Sequence, residues 1–317
     1  MPAFTQLIAR WFRDHHGIAA SSELRALGLS EKHRRMLLSA GVLEELFEGV
    51  YHLVSSPLDF EARCAAVCAA DLSLAISCYS AGKLTGLRKC NSPRIHVTTG
   101  RVTKPLGRGV IVHRTDSLVP ADIVVRNDGI RVTTPQRTFF DQARHVDDLT
   151  LISLGEQILD LKLATADELR ATVARLAVPG RPGGARAQRV MGARGNGPAA
   201  DSDDEVRLLH ALHRHGMDAF VRQPPVRLLD GGVVHPDLGD PVARFYIEVD
   251  HHTWHSSAAS VAYDKARDRK VRLTGAAVER VTDDAIATDL AEVVNELAAL
   301  YRLWRRSIGA ERPASGA

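Results

Sequence analysis

The chain has 317 residues, of which 45% are hydrophobic and 25% are charged, with a formal net charge of +3. This composition excludes wholesale disorder, and the length predicts two or three domains, not a single core. The net charge is too small to establish a polyanionic partner by itself, so charge has to be considered segment by segment.

The sequence predicts a cytoplasmic protein with no membrane partner. Arg10, Arg13 and Asp14 precede any apolar run long enough for a signal sequence. No stretch of about 18 uncharged apolar residues follows later in the chain.

The cysteines fall in one middle segment, as Cys64, Cys68, Cys78 and Cys90. In a reducing compartment we expect free thiols and not a disulfide framework. A zinc site there is the alternative, which the absence of a CxxC pair or of supporting histidine spacing disfavours.

Residues 1–55 predict a winged helix-turn-helix. Apolar residues at helical spacing predict a helix near 4–12. Serine caps and closing glycines predict a second helix at 23–27 and a third from 31 to about 40. Apolar residues around Gly49 predict a two-stranded wing within 42–53.

In such a fold the third helix enters the major groove, so Lys32, Arg34 and Arg35 are the candidate nucleic-acid contacts. Charge argues against generic DNA binding, because residues 1–55 hold six Lys/Arg and six Asp/Glu, a net charge of 6 − 6 = 0. The wing also carries three glutamates. A winged helix used for protein contacts is therefore the alternative.

Residues 56–177 predict a mixed α/β middle domain. The predicted helices lie near 60–70, 79–86, 134–143, 149–163 and 165–176, and the predicted strands near 94–98, 110–113, 123–125 and 130–133. No acidic residue occurs between Glu168 and Asp201, while arginines accumulate among Pro and Gly. We therefore expect a basic, partly flexible linker over 178–200.

Residues 201–305 predict a C-terminal α/β domain, followed by a flexible tail at 306–317. Its expected elements are a helix at 203–215, strands at 221–229, 233–238 and 243–250, a basic helix at 258–273, a strand at 277–281 and a helix at 290–305. Period-two alternation puts Glu248 and Asp250 on one face of a strand, and Asp237 ends the preceding strand. Carboxylates so close favour a hard divalent cation between them, although a solvated strand face is the alternative.

This C-terminal pattern resembles the very-short-patch-repair-like (Vsr-like) endonucleases of the PD-(D/E)xK class. The resemblance rests on Pro236-Asp237, Glu248-Val249-Asp250, Trp254-His255, Asp264, Arg267, Asp268, Gly275, Val278 and Arg280-Val281-Thr282. It implies a restriction-endonuclease-like fold and a Mg²⁺ or Mn²⁺ ion held by Asp237 and Glu248. It also implies His255 as a general acid/base or phosphate contact.

The catalytic residues expected from the resemblance are Asp237, Glu248, Asp250, His255, Glu205 and Asp268. Arg267, Arg269 and Lys270 are the expected phosphate contacts, and Asp264 and Asp268 could orient the site. The chain departs from the pattern, since Asp250 stands where the general motif places Lys, His251 replaces a usual Gly, and Ala276 replaces a usual aromatic. A fortuitous zinc site at His251, His252 and His255 is a further alternative.

The N-terminal module and the following region, through residues 94–143, resemble AbiEi-type antitoxins. Thr134-Pro135-Gln136-Arg137-Thr138 lies within this part. The resemblance implies a DNA-binding regulator with a protein toxin as partner.

We therefore expect an α/β (α+β) protein of three parts and weigh three functions. The first is a metal-dependent endonuclease, with DNA as its expected substrate, targeted by the winged helix. The alternative is a non-enzymatic AbiEi-type antitoxin or autorepressor with a degenerate nuclease domain. A protein-interaction adaptor is the third. The sequence contains no P-loop or nucleophile elbow, so no nucleotide cofactor is expected.

Overall fold

The computed structural model describes residues 6–103, 105–193, 202–250 and 258–310, without the side chains of 258–265 and 310. It divides into two compact units. The first comprises Met1–Asp147 with Leu163–Met191, and the second comprises Asp148–Lys162 with Gly192–Ala317. The predicted α/β class is confirmed.

The first unit begins with a winged helix-turn-helix arrangement. Its elements are α1 (Gln6–Asp14), β1 (Ile18–Ala20), α2 (Ser21–Ala26), α3 (Glu31–Ser39), β2 (Leu43–Phe47) and β3 (Val50–Leu53). The strands form an antiparallel sheet in the order β1-β3-β2. The predicted helices and wing are present, whereas β1 was not predicted, because three residues between two helices are too few to show strand alternation.

Local chemistry explains these boundaries. The Ser30 hydroxyl caps α3 by accepting from the backbone N–H of His33. Gly49 turns the wing at a φ of +75°, where other residues are strained. Ile8, Phe12 and Leu24 are fully buried and form the core of this module with its neighbouring apolar side chains.

The middle part of the first unit follows directly. Its elements are α4 (Phe60–Ala70), β4 (Ala75–Ile76), α5 (Cys78–Leu84), β5 (Ile95–Thr99), β6 (Val110–Arg114), a 3₁₀ turn (Pro120–Asp122), β7 (Ile123–Val125), β8 (Arg131–Thr133) and α6 (Pro135–Gln142). After α7 (Asp148–Asp160), which belongs to the second unit, the chain returns as α8 (Ala166–Leu176) and α9 (Gly184–Ala193).

The five strands form a mixed sheet in the order β6-β5-β4-β8-β7. β5 and β6 are parallel, as are β4 and β8, while the other pairs are antiparallel. α4 is buried nearly all round and packs with the sheet in one core. The small residues of α4, mostly Ala and Cys, allow this close packing.

The linker expectation for 178–200 needs correction in its first half. Residues 184–193 form α9, which buries Ala187, Val190 and Met191. Arg186 donates to the carbonyls of Ala143 and Val146 at 2.8 and 2.5 Å. A segment of basic, glycine-rich composition thus forms a helix here, and Arg186 joins this helix to the backbone near residues 143–146. Residues 194–200 lie outside the described part.

The second unit contains α7 and the C-terminal elements. These are α10 (Asp203–Arg214), β9 (Val221–Arg222), β10 (Val226–Arg227), β11 (Val233–Val234), β12 (Leu238–Asp240), β13 (Phe245–Asp250), α11 (Ala258–Leu273), β14 (Ala277–Thr282) and α12 (Asp283–Ala310). β14, β13, β12 and β9 form one sheet in that order, with β13 and β14 parallel and joined by α11.

The expected strands 221–229 and 233–238 are each broken in two. Pro224 and Pro225 follow β9, and Pro236 separates β11 from β12. Proline cannot donate to a strand ladder, so β10 and β11 pair with each other apart from the main sheet. The expected last helix, 290–305, is the second arm of α12, which bends at Asp289.

Within the described residues, no helix combines the length and apolar character needed to cross a membrane.

Candidate functional site

The third helix presents two of its three predicted DNA contacts to solvent. Lys32 and Arg35 are exposed. Arg34 turns inward, with its guanidinium 5.1 Å from the centre of the Tyr51 ring and its Nη1 donating to Ser21 Oγ at 3.4 Å. Arg34 thus holds α3 against the rest of the module, and Lys32 and Arg35 are the accessible cations of the predicted set.

The acidic wing uses two of its glutamates internally. Glu44 Oε1 lies 2.8 Å from His52 Nδ1, and Glu45 accepts from the N–H of Gly49 at 2.7 Å. These contacts stabilise the hairpin. They explain why the wing carries acid in a module whose third helix is basic.

In the second unit, Asp237 and Glu248 are brought together by strand pairing. Leu238 lies opposite Ile247 in the antiparallel β12–β13 pair, so the residues flanking them are neighbours. The N–H of Val249 donates to Asp237 Oδ2 at 2.7 Å. Burial, reinforced by the Asp237 carboxylate, raises the pKa of Glu248 to about 7.

Asp250 and Asp268 share a different partner. Arg280 on β14 donates Nε and Nη2 to the two carboxylate oxygens of Asp268 at 2.7 and 2.9 Å, and it also contacts Asp250. Hydrogen bonding to Asp268 raises the pKa of Arg280 above its usual range. Asp268 therefore holds Arg280 beside the strand that carries Glu248.

A second guanidinium comes from α11. Arg267 Nη1 lies 3.5 Å from Glu248 Oε1, and its Nη2 donates to the His235 carbonyl at 2.6 Å. Two arginines thus supply positive charge in a strand motif that has Asp250 where the general motif has Lys.

The carboxylates and guanidiniums leave a negative balance. Asp237, Glu248, Asp250 and Asp268 carry four negative charges when ionised, against two positive charges on Arg267 and Arg280, a net of −2. One divalent cation would neutralise this balance. Mg²⁺ needs only one or two protein carboxylates, because water and substrate phosphates complete its shell, so Asp237 and Glu248 fit such an ion.

The other residues expected at this site are distributed as follows. Glu205 is buried in the first turn of α10. Lys270 pairs with Asp230 at 2.9 Å, and Arg269 is exposed. His255, with His251, His252 and Trp254, lies outside the described residues, as does the side chain of Asp264.

In the first unit, the structure assembles a cluster that the sequence did not predict. Cys78 opens α5, while His96 lies on β5 and His113 on the parallel strand β6. One potential ligand atom from each lies within 4.8 Å of the others. Within the part of the chain that the structure describes, this is the group of three or more His, Cys, Asp or Glu side chains that could hold a metal ion.

The contact with Arg144 determines which ring nitrogens of His113 and His96 carry a proton. It contacts His113 Nδ1, and because a guanidinium only donates, that nitrogen must accept. His113 Nε2 then carries the proton and donates to His96 Nδ1 at 3.0 Å, and His96 Nε2 donates to Ser92 Oγ at 3.1 Å. Burial lowers the pKa of His96 to about 4 and that of His113 to about 3.

Sequence reasoning missed this cluster because its members form no linear motif. His96 and His113 are 17 residues apart, and only the pairing of β5 with β6 aligns them. All four cysteines are free and buried, and Cys78 alone among them meets histidines in the metal-compatible group.

The cluster borders a basic cavity of about 710 Å³ in the first unit. Its lining includes the neutral His113 and the charged residues Arg101, Arg114, Asp116, Arg137, Asp141, Arg144 and Arg181. Five arginines face two aspartates, which makes the wall electropositive. His113 and Arg144 belong both to this wall and to the cluster.

Residues 75–191 match the family model of the AbiEi antitoxin C-terminal domain. The match covers less than half of the chain, overlaps the middle region 56–177 where the AbiEi resemblance was expected, and extends into the expected linker as far as residue 191. A search of curated proteins found no match to the chain. The Vsr-like resemblance of residues 201–305 stays a prediction.

The matched AbiEi segment contains a buried ion network. Arg137, only 2% exposed, donates to Asp122 Oδ2 at 3.1 Å and to Asp141 Oδ1 at 3.0 Å. Arg175 on α8 also binds Asp122. The Thr134-Pro135-Gln136-Arg137-Thr138 run therefore has a structural role: Thr134 caps α6, and Arg137 joins α6 to the turn that carries Asp122.

Proposed function

We propose that the protein is a DNA-binding regulator of the AbiEi antitoxin type. The observation that carries the proposal is the AbiEi antitoxin match at residues 75–191, directly behind a winged helix-turn-helix at residues 6–53. This favours the regulator over the nuclease as the main function. For a regulator of the antitoxin type, the second partner is a protein toxin.

DNA binding would use α3 in the major groove. Lys32 and Arg35 are exposed, with Arg35 in an exposed 3.7 Å ion pair with Glu31, and both are placed to reach phosphates or base edges. Arg34 keeps the helix in place against Tyr51. Without these two cations residues 1–55 hold four Lys/Arg and six Asp/Glu, a net charge of 4 − 6 = −2. Binding should therefore depend strongly on Lys32 and Arg35 and should weaken with salt.

The test is selection of bound fragments from sheared genomic DNA, followed by mobility-shift titration of the enriched fragment. Lys32→Glu with Arg35→Glu should lower affinity at least tenfold. Arg302→Glu with Arg306→Glu makes the same change of charge on the exposed face of α12 and should leave affinity within about twofold. Enrichment of no fragment by the folded native protein would refute the proposal.

A second candidate function is metal-dependent phosphodiester hydrolysis. The observation that favours it is the approach of the half-buried Asp237 to the buried Glu248, beside Arg267. Bound Mg²⁺ would polarise a phosphoryl oxygen and lower the pKa of a water. The two carboxylates would hold the ion, and Arg267 would offset phosphate charge.

Cleavage of labelled single- and double-stranded DNA with Mg²⁺ or Mn²⁺ tests this candidate. Activity lost in both Asp237→Ala and Glu248→Ala, but kept in the exposed control Asp284→Ala, would support it. If the DNA stays intact with both metals, the hydrolase proposal fails and the regulator is the one proposed function that remains.

A further inference from the structure

We propose that Cys78, His96 and His113 form a binding site for a transition-metal ion of the Zn²⁺ type. The site lies inside the AbiEi-matched segment but depends on neither function proposed above. The supporting observations are the geometry of the ligand atoms, the backbone of Cys78 and the access from the cavity.

The ligand atoms are nearly spaced for a shared ion. Zinc bonds to histidine nitrogen at about 2.0–2.1 Å and to cysteine sulfur at about 2.3 Å, so tetrahedral ligands stand roughly 3.3–3.6 Å apart. His96 Nδ1 and His113 Nε2 are 3.0 Å apart, and the Cys78 Sγ lies within 4.8 Å of one ring nitrogen of each histidine. The sulfur–nitrogen distances therefore have to close by at most about 1.2 Å to reach the spacing of tetrahedral ligands.

The mixed sulfur and nitrogen set selects the kind of ion. Thiolate and imidazole favour Zn²⁺, Co²⁺ or Cu over Mg²⁺ and Ca²⁺, which prefer oxygen. This site is therefore chemically distinct from the carboxylate pair of the second unit.

Cys78 has a backbone conformation that turns its side chain into the cluster. Its φ is +49°, in the left-handed region where a residue with a Cβ is strained. The residue is completely buried, and Ser77 before it keeps an extended backbone. A strained position filled by cysteine, directly beside two histidines, is accounted for if the thiol is a ligand.

Binding requires a defined rearrangement of protons. The thiol of Cys78 loses its proton to solvent, and the Nε2 proton of His113 is replaced by the metal while a proton occupies Nδ1. Arg144 must then release Nδ1, which it can do because its side chain is exposed. His96 keeps its Nε2 proton on Ser92, which is the outer hydrogen bond that orients a metal-bound histidine.

The cavity opens the His113 side of the cluster to solvent. His113 is half-buried and lines the cavity wall. Three protein ligands with a fourth place left for solvent is an established arrangement for zinc. His145 is also close, with its ring centre 5.3 Å from that of His113, but it is not one of the three ligands.

The experiment uses the full chain without an affinity tag, stripped with chelator and then titrated with Co²⁺ and Zn²⁺. We expect one tight equivalent of metal. Bound Co²⁺ should show the visible bands of a tetrahedral ion and a near-ultraviolet thiolate charge-transfer band, which reports a cysteine ligand even without any variant. Zn²⁺ should displace Co²⁺.

Variants assign the ligands. Cys78→Ser should abolish the charge-transfer band, and His96→Gln and His113→Gln should each weaken binding at least tenfold. The matched controls are Cys90→Ser, another buried cysteine of the same domain, and His145→Gln, the neighbouring histidine outside the set. Both should bind one equivalent with affinity within about threefold of the native protein.

Absence of a stoichiometric metal, a Co²⁺ spectrum without the thiolate band, or equal binding after Cys78→Ser would overturn the proposal. Equal loss in the His145→Gln control would overturn the three-ligand assignment. Circular dichroism of each stripped variant separates loss of a ligand from loss of fold.

Discussion

Burial and the like charge of Asp237 both disfavour the ionised form of Glu248. Its pKa rises from an ordinary 4.5 to about 7 in the fold. Between these values the folded protein holds a proton that the unfolded chain has released. Stability contributed by that proton is present below pH 4.5 and is lost as pH rises through about 7.

Replacing Glu248 with glutamine should therefore help the fold at high pH. In chelator, Glu248→Gln should gain roughly 3 kcal/mol relative to the native protein between pH 4 and about pH 8. Urea unfolding at several pH values measures this difference, with the exposed Glu292→Gln as control. If the free energy of unfolding changed equally with pH in the native protein and in Glu248→Gln, the prediction would be contradicted.

Arg34 and Lys32 differ in role although they lie on the same helix. Arg34 stacks over Tyr51, a contact worth about 0.5–2 kcal/mol, whereas Lys32 is exposed. We expect Arg34→Met to lower the free energy of unfolding by about 1 kcal/mol and Lys32→Met to leave it nearly unchanged. Thermal unfolding of both variants tests this. A larger loss of stability in Lys32→Met than in Arg34→Met would mean that Lys32, and not Arg34, is the cation that holds the helix in place.

At the residue scale, the sequence predicted the carboxylate pair better than the histidine cluster. Alternation along one strand places Glu248 and Asp250 on one face. Pairing of adjacent strands then brings Asp237 close. Cys78, His96 and His113 come from a helix start and two strands whose parallel pairing no local pattern encodes.

Among the elements, α6 depends on a buried charge network. Arg137 lies between Asp122 and Asp141, and burial raises the pKa of Asp141. Removing the guanidinium leaves the buried Asp141 without its ion pair and Asp122 with Arg175 alone. Arg137→Ala should therefore cost about 3–5 kcal/mol.

Arg175 is the matched control for this network. It binds the same Asp122, but its side chain is 41% exposed. Because exposed ion pairs contribute little, Arg175→Ala should cost about 1 kcal/mol or less. Equal losses for the two variants in urea unfolding would show that burial does not set the difference.

Element boundaries followed local signals where those were strong. The Ser30 cap located the start of α3, and the predicted starts of α8 and α10 lie within about a residue of the observed ones, which Thr165 and Ser202 cap. The short strand β4 and the helix α9 were missed, because two residues carry no periodicity and a Gly- and Arg-rich segment looks like a linker. In both cases tertiary packing decides the structure.

At the scale of the whole molecule, chain order and structural units do not coincide. α7 was expected in the middle domain, yet it belongs to the second unit and contacts α10. Ser153 and Gln157 on α7 bind Asp203, and Glu156 lies 2.7 Å from Arg222. Sequence adjacency could not reveal this, since these partners lie beyond the intervening helices α8 and α9.

A single cut should therefore not separate the two units. A chain shortened to residues 1–193 retains α7 but loses Asp203 and Arg222, which contact Ser153, Gln157 and Glu156 in the full chain. We expect α7 to detach without these contacts and to expose Leu151, Leu154 and Ile158, all buried in the full chain. Exposed apolar surface of this kind promotes association. We expect the shortened chain to bind a hydrophobic dye and to form oligomers on gel filtration, whereas the full chain should bind little dye.

The cause can be isolated within the shortened chain. Leu151→Gln with Ile158→Gln makes the uncovered face of α7 polar and should restore a monomer with little dye binding. The same pair of substitutions in the full chain buries two amides and should destabilise it by several kcal/mol, because each amide loses water without gaining a partner. A monomeric, dye-free shortened chain before these substitutions would mean that α7 is covered from within the first 193 residues, and the assignment of α7 to the second unit would then be wrong.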